Sequence, residues 1–88
     1  MVEFEWDEVK RLSYLEKHEL DILAARRLFD GRPLFTTTNL HHDELRSVST
    51  GVNEYRHYTV VWTEPDERIR IISFRRARNA EERNYRQL

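Results

Sequence analysis

Two adjacent segments with an alternating pattern constrain the fold of this chain most strongly. "RHYTVVWTE" at residues 56–64 alternates large apolar side chains with threonine and valine, and "RIRIIS" at residues 68–73 alternates arginine with isoleucine before ending in "IIS". A period of two is typical of β-strands. The short connection "PDE" allows the two strands to pair side by side in opposite directions. The sequence therefore predicts an antiparallel sheet in the C-terminal half.

Two helices are predicted before this sheet. Asp7 occupies the N-cap position of a helix that runs to about His18, with apolar residues at near-helical spacing. Asp21 is the expected N-cap of a second helix. Gly31 ends that helix, and Pro33 prevents its continuation.

The remaining segments complete an α+β pattern. "VEFEW" is a short first strand, and "PLFTTT" and "LRSVSTG" are weak strands joined by a polar loop, "NLHHDE". The last helix is expected to begin near Asn79, with Glu82 completing a capping box. We expect an α+β fold in which two N-terminal helices pack on one face of an antiparallel sheet of about four strands, with a C-terminal helix, and residues 1–88 forming a single domain.

Composition excludes several classes of protein. The chain has 88 residues and no cysteine, so disulfides and thiolate metal sites are excluded. No apolar run approaches the roughly 18 residues that a membrane span requires. The N-terminus "MVEFEWDEVK" carries acids where a signal peptide carries bases, which leads us to expect a soluble, cytoplasmic protein.

The charge is unevenly distributed along the chain. Residues 1–67 contain 8 Lys and Arg against 14 Asp and Glu, whereas residues 68–88 contain 7 Arg against 2 Glu. Of the 15 basic residues only Lys10 and Lys17 are lysines. Arginine binds phosphate through a planar fork and stacks on bases, so this bias favours contact with nucleic acid. Ion pairing on a charged surface is the alternative.

Arg70 is the most informative of these arginines. Simple alternation places Arg68, Arg70, Ile72 and Phe74 on one face of the strand. An arginine among apolar neighbours must reach solvent, pair with a carboxylate such as Glu44 or Glu64, or bind an anionic ligand. For the last case we expect Arg46 from a neighbouring strand, and Arg75 and Arg76 at the end of the strand, to flank the ligand.

Short segments from Phe4 to Tyr85 together resemble a known family. "FEWDEVK" is followed by "KH", by a helix ending in "LFD", and then by "DELR", "RIRIIS" and "RRA" before "EERNY". Their order and spacing resemble the BrnT family of ribonuclease toxins. The resemblance implies a RelE-like fold, RNA cleavage, and neutralisation by a ribbon-helix-helix antitoxin of the BrnA type. Any contact with DNA would then come through the antitoxin complex, and no membrane partner is expected.

Three positions depart from the pattern of that family. Glu19 stands where glycine usually follows "KH", Tyr14 where asparagine is usual, and Phe74 where a small residue precedes "RRA". A helix ending at positive φ on Glu19 costs about 1 kcal/mol relative to glycine, unless the turn has another shape. Phe74 either stacks on a base or fills the core, and we favour the core.

The residues of a metal-independent ribonuclease can be assigned on this basis. RNA carries its own nucleophile, the 2′-hydroxyl, so the enzyme supplies proton transfer and positive charge, and no cofactor is expected. The predicted catalytic residues are Lys17 and His18 or Glu44 for proton transfer, and Arg46 and Arg70 for phosphate charge. Four further arginines are predicted to bind RNA: Arg68, Arg75, Arg76 and Arg78.

Each assignment has a simpler alternative. "KH" at a helix end also stabilises the helix dipole, and Glu44 next to Arg46 also serves as an ion-pair partner. "HHDE" at residues 41–44 collects potential metal ligands, but its spacing matches no helical zinc site, and we expect a polar loop. The alternative for the whole chain is a non-catalytic module on the same scaffold that binds nucleic acid or protein.

Overall fold

The computed structural model describes residues 3–88. Five strands, two α-helices and two 3₁₀ segments follow one another in the order β1 (Glu3–Glu5), α1 (Glu8–His18), a long 3₁₀ helix (Ile22–Phe29), β2 (Phe35–His41), β3 (Glu44–Asn53), β4 (Arg56–Thr63), a short 3₁₀ turn (Pro65–Glu67), β5 (Arg68–Arg76) and α2 (Asn79–Arg86).

The strands form one mixed sheet with the spatial order β1-β5-β4-β3-β2. Strands β2 to β5 pair antiparallel as predicted, whereas β1 pairs parallel with β5, with Glu3 opposite Arg68. The α+β class is thus confirmed, but the prediction of about four strands, all antiparallel, is wrong in detail. The alternation within a three-residue strand is too short to indicate which strand it pairs with or in which direction.

The core lies between one face of the sheet and the helical segments before β2. Buried residues of the 3₁₀ helix contact buried residues of β4 and β5, and the core consists of Ile22, Ala25, Leu28, Val60, Ile69, Ile71 and Phe74. Gly51 permits this close approach, because a Cβ atom there would lie 2.6 Å from Cδ2 of Leu34. Burying one large aliphatic or aromatic side chain contributes about 1.5–3 kcal/mol.

Helix α1 has no fully buried residue, but Tyr14 packs against the core and Arg11 links the helix to the next segment. Asp7 caps it by accepting a hydrogen bond from the backbone N–H of Lys10 at 3.1 Å. Arg11 donates to Asp21 at 2.9 Å, and Asp21 also accepts from the N–H of Leu23 at the start of the 3₁₀ helix. The predicted N-caps Asp7 and Asp21 are therefore confirmed.

Helix α1 ends at a residue with a left-handed backbone. Glu19 has φ 56° and ψ 24°, and its N–H donates to the carbonyl of Leu15 at 2.9 Å. Of the two outcomes expected for Glu19, the structure shows the positive φ. A non-glycine residue in this conformation is strained by about 1 kcal/mol.

The connection between β2 and β3 is shorter than predicted. Instead of the polar loop "NLHHDE", the strands extend to His41 and from Glu44, leaving His42 and Asp43 as a two-residue turn. Both turn residues have positive φ, 48° and 64°. This geometry matches the twist of a hairpin, which lets both strands extend.

A bulge in β5 overturns the predicted alternation. Trp62 pairs with Ile71 and Val61 with Ser73, so Ile72 has no partner on β4. A bulge re-aims the side chains beyond it, and Phe74 is therefore buried with the core instead of sharing a face with Arg70. The preference for Phe74 as a core residue is confirmed, and its ring stacks on Tyr58 at 5.0 Å.

Helix α2 packs on the sheet face opposite the core helices. Thr59, next to the core residue Val60, donates to Glu81 of α2 at 3.1 Å. The cap of α2 differs by one residue from the prediction, because Arg78 is the N-cap and its N–H donates to Glu81 at 2.8 Å. Glu81 therefore takes the place that the sequence predicted for Glu82.

Candidate active site

A cleft of about 360 Å³ runs along α1 and is lined by both polar and apolar side chains. Lys17 and His18, both predicted catalytic residues, lie exposed in the last turn of α1 and line this cleft together. The other residues that line it are Val9, Lys10, Ser13, Tyr14, Ile22 and Ile72.

The walls of the α1 cleft are apolar and aromatic. Tyr14 and His18 lie one turn apart, with ring centroids 4.5 Å apart and planes inclined at 42°. Ile22 comes from the 3₁₀ helix, and Ile72 is the unpaired residue of the β5 bulge. The bulge thus supplies a wall of the cleft that a regular strand would turn away.

The positive charge in the α1 cleft is unpaired. Lys10 and Lys17 are the only lysines in the chain, and among residues 3–88 neither forms an ion pair. Lys10 is seven residues before Lys17, so both lie on the same side of the helix. An anion that enters this cleft would therefore meet two available ammonium groups.

Arg70 lies in an adjoining cleft of about 440 Å³, which it lines with Glu5, Trp6, Asp7 and Lys10. Lys10 therefore borders both clefts. The Nε of Arg70 donates to Oε1 of Glu5 at 2.7 Å, and the Arg70 side chain is 48% exposed. The expected partners Glu44 and Glu64 are wrong, because β1 adds Glu5 directly opposite Arg70.

Arg46, Thr63 and Arg70 form a row across one sheet face. Thr63 pairs with Arg70, and the β3–β4 register places Arg46 opposite Thr63 on the other side. Arg46 is thus two strands from Arg70, roughly 10 Å away, instead of on a neighbouring strand as predicted. The Nε of Arg46 and the Oγ1 of Thr63 are buried without a hydrogen-bond partner among the described residues.

Glu44 lies beside Arg46 and far along the sheet from the α1 cleft. Its Oε1 is 3.6 Å from the Nε of Arg46, which is an ion-pair distance but too long for a hydrogen bond. The structure therefore separates the predicted catalytic residues into Lys17 and His18 in one place and Glu44 with Arg46 in another.

Arg75 forms an ion pair with Glu81 that joins β5 to α2. Its two terminal nitrogens donate to the two oxygens of Glu81 at 2.7 and 2.8 Å. The hydrogen bonds from Arg75 lower the pKa of Glu81 from 4.5 to about 2, and the same bonds raise the pKa of Arg75. The contact also includes Thr59, whose hydroxyl is bonded to that of Thr50 at 2.9 Å.

The other predicted RNA-binding arginines differ in whether their side chains lie near a carboxylate. Arg68 lies 3.6 Å from Glu5 and 4.0 Å from Asp66. Arg76 is exposed and sits 5.6 Å from the ring centroid of Tyr58. Arg78 is exposed at the start of α2. In the part of the chain that the structure describes, the guanidinium groups of Arg76 and Arg78 form no ion pair.

Three residues of these surfaces are not predicted from the sequence: Lys10, Tyr14 as a cleft residue, and Thr63. Lys10 was detectable, because its spacing of seven from Lys17 places both on one helical face. The predicted face of Ile72 is wrong, because the alternation of "RIRIIS" does not reveal the bulge. The unpaired hydroxyl of Thr63 depends on packing and has no sequence signal.

Between residues 3 and 88, no group of three or more His, Asp or Glu side chains is arranged to hold a metal ion. Within the same range, no helix is both long enough and apolar enough to cross a membrane.

Comparison with known proteins identifies the class. A family model of ribonuclease toxins from type II toxin-antitoxin systems matches residues 6–81, which is most of the chain. The chain belongs to the family described as "Ribonuclease toxin, BrnT, of type II toxin-antitoxin system". The resemblance to BrnT is thereby confirmed, and at the level of the family the protein is a toxin with an RNA substrate and an antitoxin partner. No curated protein matches the chain.

Proposed function

We propose that this protein is a metal-independent endoribonuclease that inhibits translation or growth, and that it cuts RNA in the α1 cleft. The observation that carries the proposal is the concentration of Lys10, Lys17 and His18 in one cleft, with both lysines unpaired among the described residues. Four of the six arginines predicted for the site lie within ion-pair distance of a carboxylate, whereas the two lysines of this cleft do not.

His18 and Lys17 divide the chemistry of the α1 cleft in this proposal. The 2′-oxygen attacks the phosphorus and the bond to the 5′-oxygen breaks. His18 either accepts the proton of the 2′-hydroxyl or donates a proton to the departing 5′-oxygen, with solvent water in the other role, because imidazole is the side chain suited to proton transfer near neutral pH. Lys17 and Lys10 stabilise the charge that develops on the phosphate oxygens. Arg70, which is half exposed beside Glu5 in the adjoining cleft, is proposed to contact a neighbouring phosphate.

The row of Arg46, Thr63 and Arg70 is proposed as a second phosphate contact. The unpartnered Nε of Arg46 and Oγ1 of Thr63 are donors whose burial without a partner is unfavourable, and a phosphate would supply the missing acceptor. Arg68, Arg76 and Arg78 are proposed to bind flanking RNA. For Glu44 we propose ion pairing with Arg46, and for Arg75 attachment of α2 through Glu81.

Membership of the family supports a proposal for the antitoxin partner and for the cellular location. We propose that a ribbon-helix-helix antitoxin of the BrnA type neutralises the protein in the cytoplasm and that DNA is bound only through that complex. We also propose that residues 1–88 act as a single toxin domain. A ribbon-helix-helix reading frame beside the gene would support this partner, and antitoxin of another fold would contradict it.

A second candidate is a non-catalytic binding module on the same scaffold. The specific observation in its favour is that Arg46, Arg68, Arg70 and Arg75 each lie within ion-pair distance of a carboxylate, which reduces the charge available for a transition state. Such a module would bind RNA without cutting it.

Incubation of the purified protein with a defined RNA, with and without EDTA, distinguishes the two candidates. We expect cleavage that survives EDTA and leaves 2′,3′-cyclic phosphate ends. His18→Gln should lower the cleavage rate by about 100-fold or more, the usual contribution of a proton-transfer group. His42→Gln in the β2–β3 turn is the matched control, and its rate should stay within twofold of the parent.

Three outcomes would contradict the enzyme proposal. RNA binding without cleavage would favour the non-catalytic module. Loss of activity on chelation, restored by zinc, would contradict the metal-independent mechanism. Equal RNA cleavage rates for the His18 and His42 variants would show that His18 takes no part in proton transfer.

A further inference from the structure

We infer that the α1 cleft holds an unstacked nucleobase, and hence that the substrate is single-stranded RNA. The inference rests on the proposed function, because it concerns the same cleft. It adds the class of RNA and the part of the nucleotide that the cleft binds.

The shape and lining of the α1 cleft support a base. Its volume of about 360 Å³ is within the range of about 300–1,000 Å³ for small-ligand pockets. Tyr14 and His18 offer two rings whose centroids are 4.5 Å apart, and Ile22 and Ile72 add apolar surface. Proteins bind unstacked bases of single-stranded RNA on aromatic surfaces of this kind.

The charges around the α1 cleft support a nucleotide chain. Lys10 and Lys17 are two turns apart on α1, about 10 Å along the helix axis. Two ammonium groups at that separation can contact different phosphates of an extended RNA backbone. A single small anion would instead require donors that point to one place. Arg70 lies beyond Lys10 in the adjoining cleft, where it is paired with Glu5.

The same features disfavour duplex RNA. In a duplex the bases are stacked and paired, so their faces are not available to Tyr14 or His18, and recognition relies on backbone and groove shape. A cleft with aromatic walls gains nothing from such a ligand. Single-stranded RNA supplies both the free base face and the phosphates.

Substitutions at Val9 and Tyr14 on α1, each with a matched control, test the inference. Val9 lines the α1 cleft and is 79% exposed, so Val9→Glu places a negative charge at the cleft without altering the core. Leu12 is 53% exposed on the same helix but does not line the cleft, so Leu12→Glu is a control of equal charge. Tyr14→Leu removes the ring, and Tyr14→Phe retains it.

The probe is a short single-stranded RNA with 2-aminopurine at one position and a 2′-O-methyl group at the cleaved nucleotide, which permits binding without cleavage. We expect fluorescence quenching on binding, and about 10-fold weaker affinity for Val9→Glu and for Tyr14→Leu, in line with the loss of one stacked base. Leu12→Glu and Tyr14→Phe should remain within twofold of the parent. The same sequence as a duplex should bind at least 10-fold more weakly.

Equal affinity for duplex and single strand would overturn the inference, as would equal affinity of the Val9 and Leu12 variants. Thermal melts identify a Tyr14 variant that fails to fold. In that case the comparison of Val9→Glu with Leu12→Glu tests the inference. Failure of the proposed function gives a different result, because the probe would bind as expected while unmodified RNA stayed uncut. Normal cleavage by Val9→Glu, together with the expected loss in His18→Gln, would show that no base is bound beside Val9 and would leave the ribonuclease proposal standing.

Discussion

The carboxylate of Glu81 should contribute a large part of the stability of this protein. It accepts hydrogen bonds from both terminal nitrogens of Arg75, from Thr59 and from the N–H of Arg78, and so joins α2 to β4 and β5. Its side chain is 21% exposed, so solvent screens the interaction only in part. At about 1.4 kcal/mol per pKa unit, a fall in its pKa from 4.5 to about 2 amounts to roughly 3 kcal/mol.

Glu81→Gln should therefore lower the free energy of unfolding by about 2–3 kcal/mol at pH 7, because the amide keeps the shape but loses the charge and leaves Arg75 without its anion. Urea unfolding at pH 7 measures this loss. Glu16→Gln is the matched control: Glu16 is exposed, forms no ion pair between residues 3 and 88, and should change stability by less than about 0.5 kcal/mol.

The pH dependence gives a second, independent measurement. A folded pKa below the unfolded value means that the stabilisation is fully present above about pH 4.5 and is lost as the pH falls through about 2. The difference between the parent and Glu81→Gln should hence shrink between pH 5 and pH 2. A variant as stable as the Glu16 control at pH 7, or a difference that stays constant with pH, would refute the reasoning.

Three further predictions concern single residues. Glu19→Gly should raise the free energy of unfolding by about 1 kcal/mol in urea melts, since φ 56° favours glycine, and a loss of stability would contradict this account of the helix end. Gly51→Ala should cost about 1–3 kcal/mol in the same assay, because the new Cβ would lie 2.6 Å from Leu34, and an unchanged midpoint would show that Leu34 moves aside. Arg70→Lys and Arg70→Met should both reduce RNA cleavage, while Arg70→Met changes stability by less than about 1 kcal/mol because its pair with Glu5 is half exposed, and a Met variant that unfolds early would make Arg70 structural.

Local signals in the sequence predicted the helical part of the fold well. Asp7 and Asp21 were identified as N-caps because a short acidic side chain before an apolar run has one main structural use. The antiparallel strands β4 and β5 followed from their alternation. The parallel pairing of β1 was missed, since it depends on a contact between residues 65 positions apart, such as Glu5 with Arg70.

The site was predictable only in part, for a related reason. The pair Lys17 and His18 was found because adjacent basic residues at a helix end are visible in the sequence. The partners of Arg70 and Arg75 were not, because ion pairs formed across strands or between a strand and a helix depend on register. The bulge at Ile72 changes that register by one residue and moves Phe74 from the predicted face to the core.

Cleavage by a charge-matched pair of double variants tests the central claim most directly. Lys10→Gln with Lys17→Gln removes both lysines of the α1 cleft, whereas Arg56→Gln with Arg83→Gln removes two exposed positive charges that form no ion pair among residues 3–88. In single-turnover assays on a defined RNA with EDTA, the lysine variant should cut at least about 100-fold more slowly, because groups that stabilise the transition state are lost. The arginine variant should stay within about threefold of the parent, since long-range charge has a small, salt-dependent effect. Equal loss in both double variants, or no loss in either, would contradict a catalytic site in the α1 cleft.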